Sequence, residues 1–316
     1  MAASFATGPN DMPRLVTLIA AMALLVAGAP AHAEPDFTRL TIPDPEGPSV
    51  EVGVWYPKEA TAHGAPLVVI SHGTGGSFTS HQDTAAALAE AGFVVAALTH
   101  TGDNQRDLSR AVQIWDRPRQ LKLVIDYMLQ TWPDRDRIDP QRIGAFGFSA
   151  GGFTVLAAAG GEPDFSKTRP HCQAHPDYFD CKLVARSVAP PAPQPVAHDP
   201  RIRALVVAAP ALGYTFGREG LAAVRQPVQL WRAEDDQLLP HPDYAEAVRL
   251  TLPQPPENHV VAHAGHFDFL APCTATLAQR VPQICRSEPG FDRAAFHADF
   301  NREVVAFFQR TLGPAR

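Results

Sequence analysis

Short, wholly apolar runs alternate along this chain with segments of helical periodicity, and nothing else in the sequence restricts the fold as tightly. "PLVVIS" (66–71) and "FVVAAL" (93–98) are rich in branched residues and lack the polar alternation of a strand with one wet face. They read as strands of a parallel sheet covered on both sides. "RIGAFGF" (142–148), "IRALVVAAP" (202–210) and "PVQLWRA" (227–233) continue the series, and "NHVVAHAG" (258–265) is the last clear strand. "VEVGVWYP" (50–57) does alternate and reads as a half-buried strand. Helical segments fall between them: "SHQDTAAALAEAG" (80–92), closed by Gly92, and "RPRQLKLVIDYMLQTW" (117–132), with Leu121, Val124, Ile125, Met128 and Leu129 on one face. Asp116 is placed to cap the second of these, with Arg117 and Pro118 in its first turn, a structural role. "AGGFTVLAAAG" follows Ser149, and "DRAAFHADFNREVVAFFQRTL" (292–312) closes the chain as a long amphipathic helix. This order predicts an α/β protein with a mostly parallel central sheet and helices on both faces. Chemistry is then expected in the loops at the carboxyl ends of strands.

Three such loops hold Ser149, Asp236 and His266, in that order. A serine hydroxyl attacks only when a base takes its proton, and the base needs an acid to fix its tautomer. The order Ser–Asp–His is that of the α/β-hydrolase fold. Ser149 is flanked by Gly147 and Gly151 at the end of a predicted strand and the start of a predicted helix, the context a sharp nucleophile turn requires. His266 follows Gly265 after the last strand, whereas His263 falls within the strand run. In "WRAEDDQLLP" Asp236 is the preferred acid and Asp235 the alternative, while Asp243 and Asp268 read as surface residues. An oxyanion needs two backbone N–H donors. Ala150, next to the nucleophile, supplies one, and Thr74, in the "HGTGGS" loop after a strand, is the candidate for the other. No terminal Gly-Lys-Ser/Thr follows that loop, so it is not read as a phosphate cradle. "LTHTGDNQRD" (98–107) should lie near the mouth of the site. Phe78, Phe148, Tyr214, Phe216 and Phe267 are candidate substrate contacts.

The stretch from about 160 to 200 interrupts the rhythm. It is polar, rich in proline and too long for an ordinary connection, and it reads as an insertion capping the site. Four cysteines allow three pairings, and local bridges Cys172–Cys181 and Cys273–Cys285 are preferred because each pair brackets a short segment. Their spacing is not that of a zinc ribbon, and His171, His175 and His198 read as solvated rather than as metal ligands. No metal or cofactor is expected.

The N-terminal "PRLVTLIAAMALLVAGAPAHA" has one basic residue, an apolar run and a small-x-small ending at Ala33. Residues 1–33 are read as a cleavable signal peptide, residues 34–316 as one hydrolase domain, and the mature chain as periplasmic or secreted; translation from Met12 would give a better n-region. A formal charge of −6 gives no reason to expect nucleic acid as a partner, and no stable membrane insertion of the mature chain is expected.

The segments "VVISHGTGGS", "DRPRQLKLVIDYM", "RIGAFGFSAGG", "RAEDDQLLP" and "AGHFDFLAPC" resemble those of bacterial α/β-hydrolases of the dienelactone-hydrolase-like and platelet-activating-factor-acetylhydrolase-like kinds, over residues 36–312. The resemblance implies Ser149, Asp236 and His266 as a triad and Thr74 and Ala150 as the oxyanion hole. Dienelactone hydrolases proper use a cysteine nucleophile, and this chain has Ser149, which points to an ordinary carboxylic ester. The expectation is an exported serine esterase acting on a short-chain or phospholipid-type small-molecule ester. An amidase or peptidase with the same triad and a non-catalytic binding protein of this fold are the alternatives.

Overall fold

The computed structural model describes residues 34–58, 64–187 and 192–313; the expected signal peptide lies outside them. Eight strands form one sheet in the order β1-β2-β4-β3-β5-β6-β7-β8. They are β1 (Asp36–Ile42), β2 (Val50–Tyr56), β3 (Ala65–Ser71), β4 (Val94–Thr99), β5 (Ile138–Phe148), β6 (Ile202–Ala208), β7 (Val228–Ala233) and β8 (Glu257–Val261). β2 pairs antiparallel with β1 and with β4, and the remaining neighbours are parallel. β3 and β4 are buried at every position, as their unbroken apolar composition requires. The first strand was not anticipated. In "DFTRLTI" alternate side chains are exposed, the pattern of an edge strand against β2.

Nine α-helices complete the described residues: α1 (Gln82–Glu90), α2 (Asp116–Gln130), α3 (Ala150–Ala158), α4 (Thr168–Ala174), α5 (Phe179–Arg186), α6 (Ala245–Thr251), α7 (Ala275–Arg280), α8 (Pro282–Cys285) and α9 (Arg293–Leu312). Leu121, Val124 and Met128 of α2 pack with Phe153 and Leu156 of α3 on one face of the sheet. Leu88 of α1 packs with Phe300, Val304 and Phe308 of α9 on the other. Each of these fully buried side chains contributes about 1.5–3 kcal/mol relative to exposure, so the two apolar layers hold the sheet between them. Asp116 does not cap α2. It is the first helical residue, Trp115 precedes it in the N-cap position, and no side chain caps that end.

Both local disulfides are present, Cys172–Cys181 and Cys273–Cys285. The first joins α4 to α5 within the irregular stretch, whose described residues hold these short helices and a 3₁₀ turn at Phe165–Lys167. Among the described residues no helix is long and apolar enough to cross a membrane.

Candidate active site

β5 ends against the start of α3, and the chain reverses direction there within one residue. Ser149 adopts φ 55° and ψ −119°, a conformation that costs a non-glycine residue on the order of 1–3 kcal/mol. The neighbours explain both flanking glycines. A Cβ on Gly147 would stand 2.1 Å from the Gly151 carbonyl oxygen, and one on Gly151 would stand 1.9 Å from the Ser71 carbonyl oxygen. The turn is pinned by Ser149 N–H donating to Ala208 O (2.9 Å) and by Ser149 O accepting from Ala211 N–H (2.9 Å). The hydroxyl is thereby held above the carboxyl ends of β5 and β6.

Ser149 Oγ lies 3.0 Å from His266 Nε2, and His266 Nδ1 lies 2.7 Å from Asp236 Oδ2. With its proton on Nδ1, His266 donates to the carboxylate and accepts from the serine hydroxyl. The His266 and Asp236 side chains are each about 5% exposed. The second Asp236 oxygen accepts from Leu238 N–H and Leu239 N–H at 3.0 and 2.8 Å, so the loop's own backbone fixes the carboxylate. Asp235 points away and faces His263, with its side chain 49% exposed. The strand expected to reach residue 265 ends at Val261. His263 occupies an exposed turn at φ 59°.

Asp268 is not a surface residue. It is 2% exposed and accepts from the Gly265 N–H (2.8 Å) and the Arg293 guanidinium (3.0 Å). It therefore braces the 3₁₀ turn that presents His266. The ring of Phe148 packs 4.8 Å from that of His266.

The loop after β3 runs beside Ser149: a Cβ on Gly73 would come 3.1 Å from Ser149 Cβ. Thr74 and Ala150 line the same cavity as Ser149. Behind this loop lies a polar network that the sequence reading assigned no such part. The Arg117 side chain, 2% exposed, pairs with Asp103, donates to the His72 carbonyl oxygen and reaches Thr154 Oγ1 at 3.1 Å. Asp103 accepts from Gly75 N–H at 3.0 Å. His72 Nδ1 donates to the Gly73 carbonyl oxygen (2.6 Å), and its Nε2 accepts from His100 N–H (3.0 Å). His100 bridges Ser71 Oγ (2.8 Å) and Gln120 Oε1 (2.9 Å). Burial, reinforced by the Arg117 charge, holds His72 and His100 well below the usual imidazole range. Both rings therefore serve as neutral struts.

None of the five candidate aromatic contacts lines the cavity that holds Ser149. Phe148 and Phe216 belong to the core, Phe78 packs against Trp55, and Phe267 meets His266 edge-on at 5.6 Å. Tyr214 stacks 3.7 Å from His171, which is half-buried rather than freely solvated.

A PET hydrolase-like family model matches residues 26–177, just under half of the chain. The match includes Thr74, Ser149 and Ala150 and stops short of Asp236 and His266. No curated protein matches the sequence. The fold is similar to that of dienelactone hydrolase from Anabaena variabilis, with a TM-score of 0.56 and 16% identity over 89% of this chain and 100% of that one. The chain has the α/β-hydrolase fold, and it is similar to PET hydrolase-like proteins in sequence and to a dienelactone hydrolase in structure.

Proposed function

We propose that the chain is an exported serine hydrolase that cleaves carboxylic esters through an acyl-enzyme. The unbroken hydrogen-bond chain from Ser149 Oγ through His266 to Asp236 carries this reading. His266 takes the serine proton as Oγ attacks the ester carbonyl carbon, and Asp236 stabilises the imidazolium. The N–H groups of Thr74 and Ala150 receive the oxyanion. His266 then passes its proton to the leaving alcohol, and water, activated by the same imidazole, releases the acid and restores Ser149. The names of the matched family and the similar structure support an ester: PET is a polyester and a dienelactone is a cyclic ester. Two disulfides accord with export to an oxidising compartment. Residues 1–33 would be removed as a signal peptide, so N-terminal sequencing of the exported protein should begin at Glu34.

Turnover of short p-nitrophenyl esters tests the mechanism. Ser149→Ala should lower kcat by more than about 10³-fold. Turnover close to that of the unmodified protein would contradict it.

A further inference from the structure

The cavity beside Ser149 has a volume of about 260 Å³. Its wall runs from Thr74, Ser149 and Ala150 to apolar side chains that include Trp115, Phe165 and Leu183. His266 is not part of that wall, and this asymmetry orients the substrate. The leaving oxygen must receive its proton from His266 Nε2, so the alcohol projects toward His266. The group on the other side of the carbonyl carbon enters the cavity.

We propose that this cavity is an acyl-chain site whose depth is set by the disulfide-linked α4–α5 cap, and that the preferred substrates are esters of uncharged, medium-length fatty acids. The inference rests on the ester-hydrolase reading above. At roughly 30 Å³ for each water-sized group, the cavity takes on the order of eight carbons. Leu183 and Asp180 of α5 come from the segment next to Cys181, so the bridge to Cys172 fixes where that wall stands. Asp180 sets the polarity of one part of it. Its carboxylate is 7% exposed and accepts from the Tyr214 and Tyr244 hydroxyls at 2.9 and 2.8 Å. With both oxygens engaged, it offers a chain little hydrogen bonding and repels a carboxylate carried at the chain's far end.

The test is kcat/KM for p-nitrophenyl esters from acetate to laurate with the full mature chain. A methylene that moves from water to this wall should raise kcat/KM about fourfold, so the value should climb to about octanoate and then level or fall. A suberate half-ester should be turned over at least tenfold more slowly than octanoate. Leu183→Trp should lower the octanoate-to-acetate ratio at least tenfold, and Leu183→Ala should move the optimum to longer chains. A ratio that is flat or falls from acetate upward, in a protein whose Ser149 still takes a fluorophosphonate, would overturn the acyl site and leave the ester-hydrolase reading standing. No turnover of any ester together with no labelling of Ser149 would overturn both. Should the Leu183 variants fail to fold, the chain-length series and the half-ester decide alone.

Discussion

The two sides of the Ser149 cavity are held by opposite means. Behind the Gly73–Thr74 turn stands a buried ion pair, Arg117–Asp103, with side chains 2% and 3% exposed and hydrogen bonds to His72 and Gly75 on either side of that turn. Across the cavity the cap is built from α4 and α5, of seven and eight residues, tied by one disulfide and presenting Phe179 and Val184 at 40% and 37% exposure. Helices that short do not persist alone in water. The oxyanion donor proposed at Thr74 would have to stand in one place, and a satisfied buried polar network over-determines the backbone of its loop. A wall that only excludes water and fills volume needs less, and cross-linking a marginal segment suffices.

If the polar side governs the chemistry, its substitutions should dominate. Asp236→Asn removes the group that fixes the His266 tautomer and should cost about 10⁴-fold in kcat, whereas Asp235→Asn should stay within about twofold. Parallel steady-state kinetics compare them, and the reverse ranking would reassign the acid. Arg117→Met leaves Asp103 buried without its partner and should destabilise the protein by about 3–5 kcal/mol in denaturant unfolding. Adding Asp103→Leu should recover part of that stability but not kcat, because Gly75 and the His72 carbonyl stay unbraced. Full recovery of kcat would reduce the network to a packing element.

His81 is fully buried against Phe146 and Phe148. Burial pushes its pKa down to about 4, against the opposing pull of Asp83 and with a smaller push from His297. The unfolded chain binds this proton near 6.5 and the folded chain does not, so stability is full above that value and falls as pH drops toward 4. Between pH 7 and pH 5 the loss from this group is about 2 kcal/mol. Denaturant midpoints at the two pH values should show it, and His81→Gln should flatten the difference. Opening the cap leaves the sheet intact. Reduction of Cys172–Cys181, or Cys172→Ser with Cys181→Ser, should cost at most about 3 kcal/mol. Hydrogen exchange should quicken in α4 and α5 ahead of the sheet, with a lower preference for long acyl chains. Exchange that quickened equally at β5 would show that the two sides are not separable.

Most of the sheet was legible because burial on two faces writes itself into consecutive residues, as in β3 and β4. Gly147 and Gly151 were legible because a backbone contact under 2.5 Å admits no side chain. Asp236 and His266 were singled out by their places after β7 and β8, and the fold sets them 2.7 Å apart. The buried polar residues were not legible. Arg117 looked like an ordinary first-turn residue, yet its partners lie 14 positions away at Asp103 and 45 away at His72. Asp268 looked like a surface acid, and its partner Arg293 is 25 positions on. Such pairings are satisfied through the tertiary fold and leave no periodic trace. β1 was missed for a related reason, since an edge strand with alternate residues in water resembles a polar connection.

The central claim is that Ser149 is the activated nucleophile. A fluorophosphonate reacts only with a serine whose proton has somewhere to go, so mass mapping of the adduct addresses that claim directly. The account predicts one adduct, on the peptide containing Ser149, absent in Ser149→Ala and formed far more slowly in Asp236→Asn. An adduct on another residue, or none on the folded protein, would contradict it.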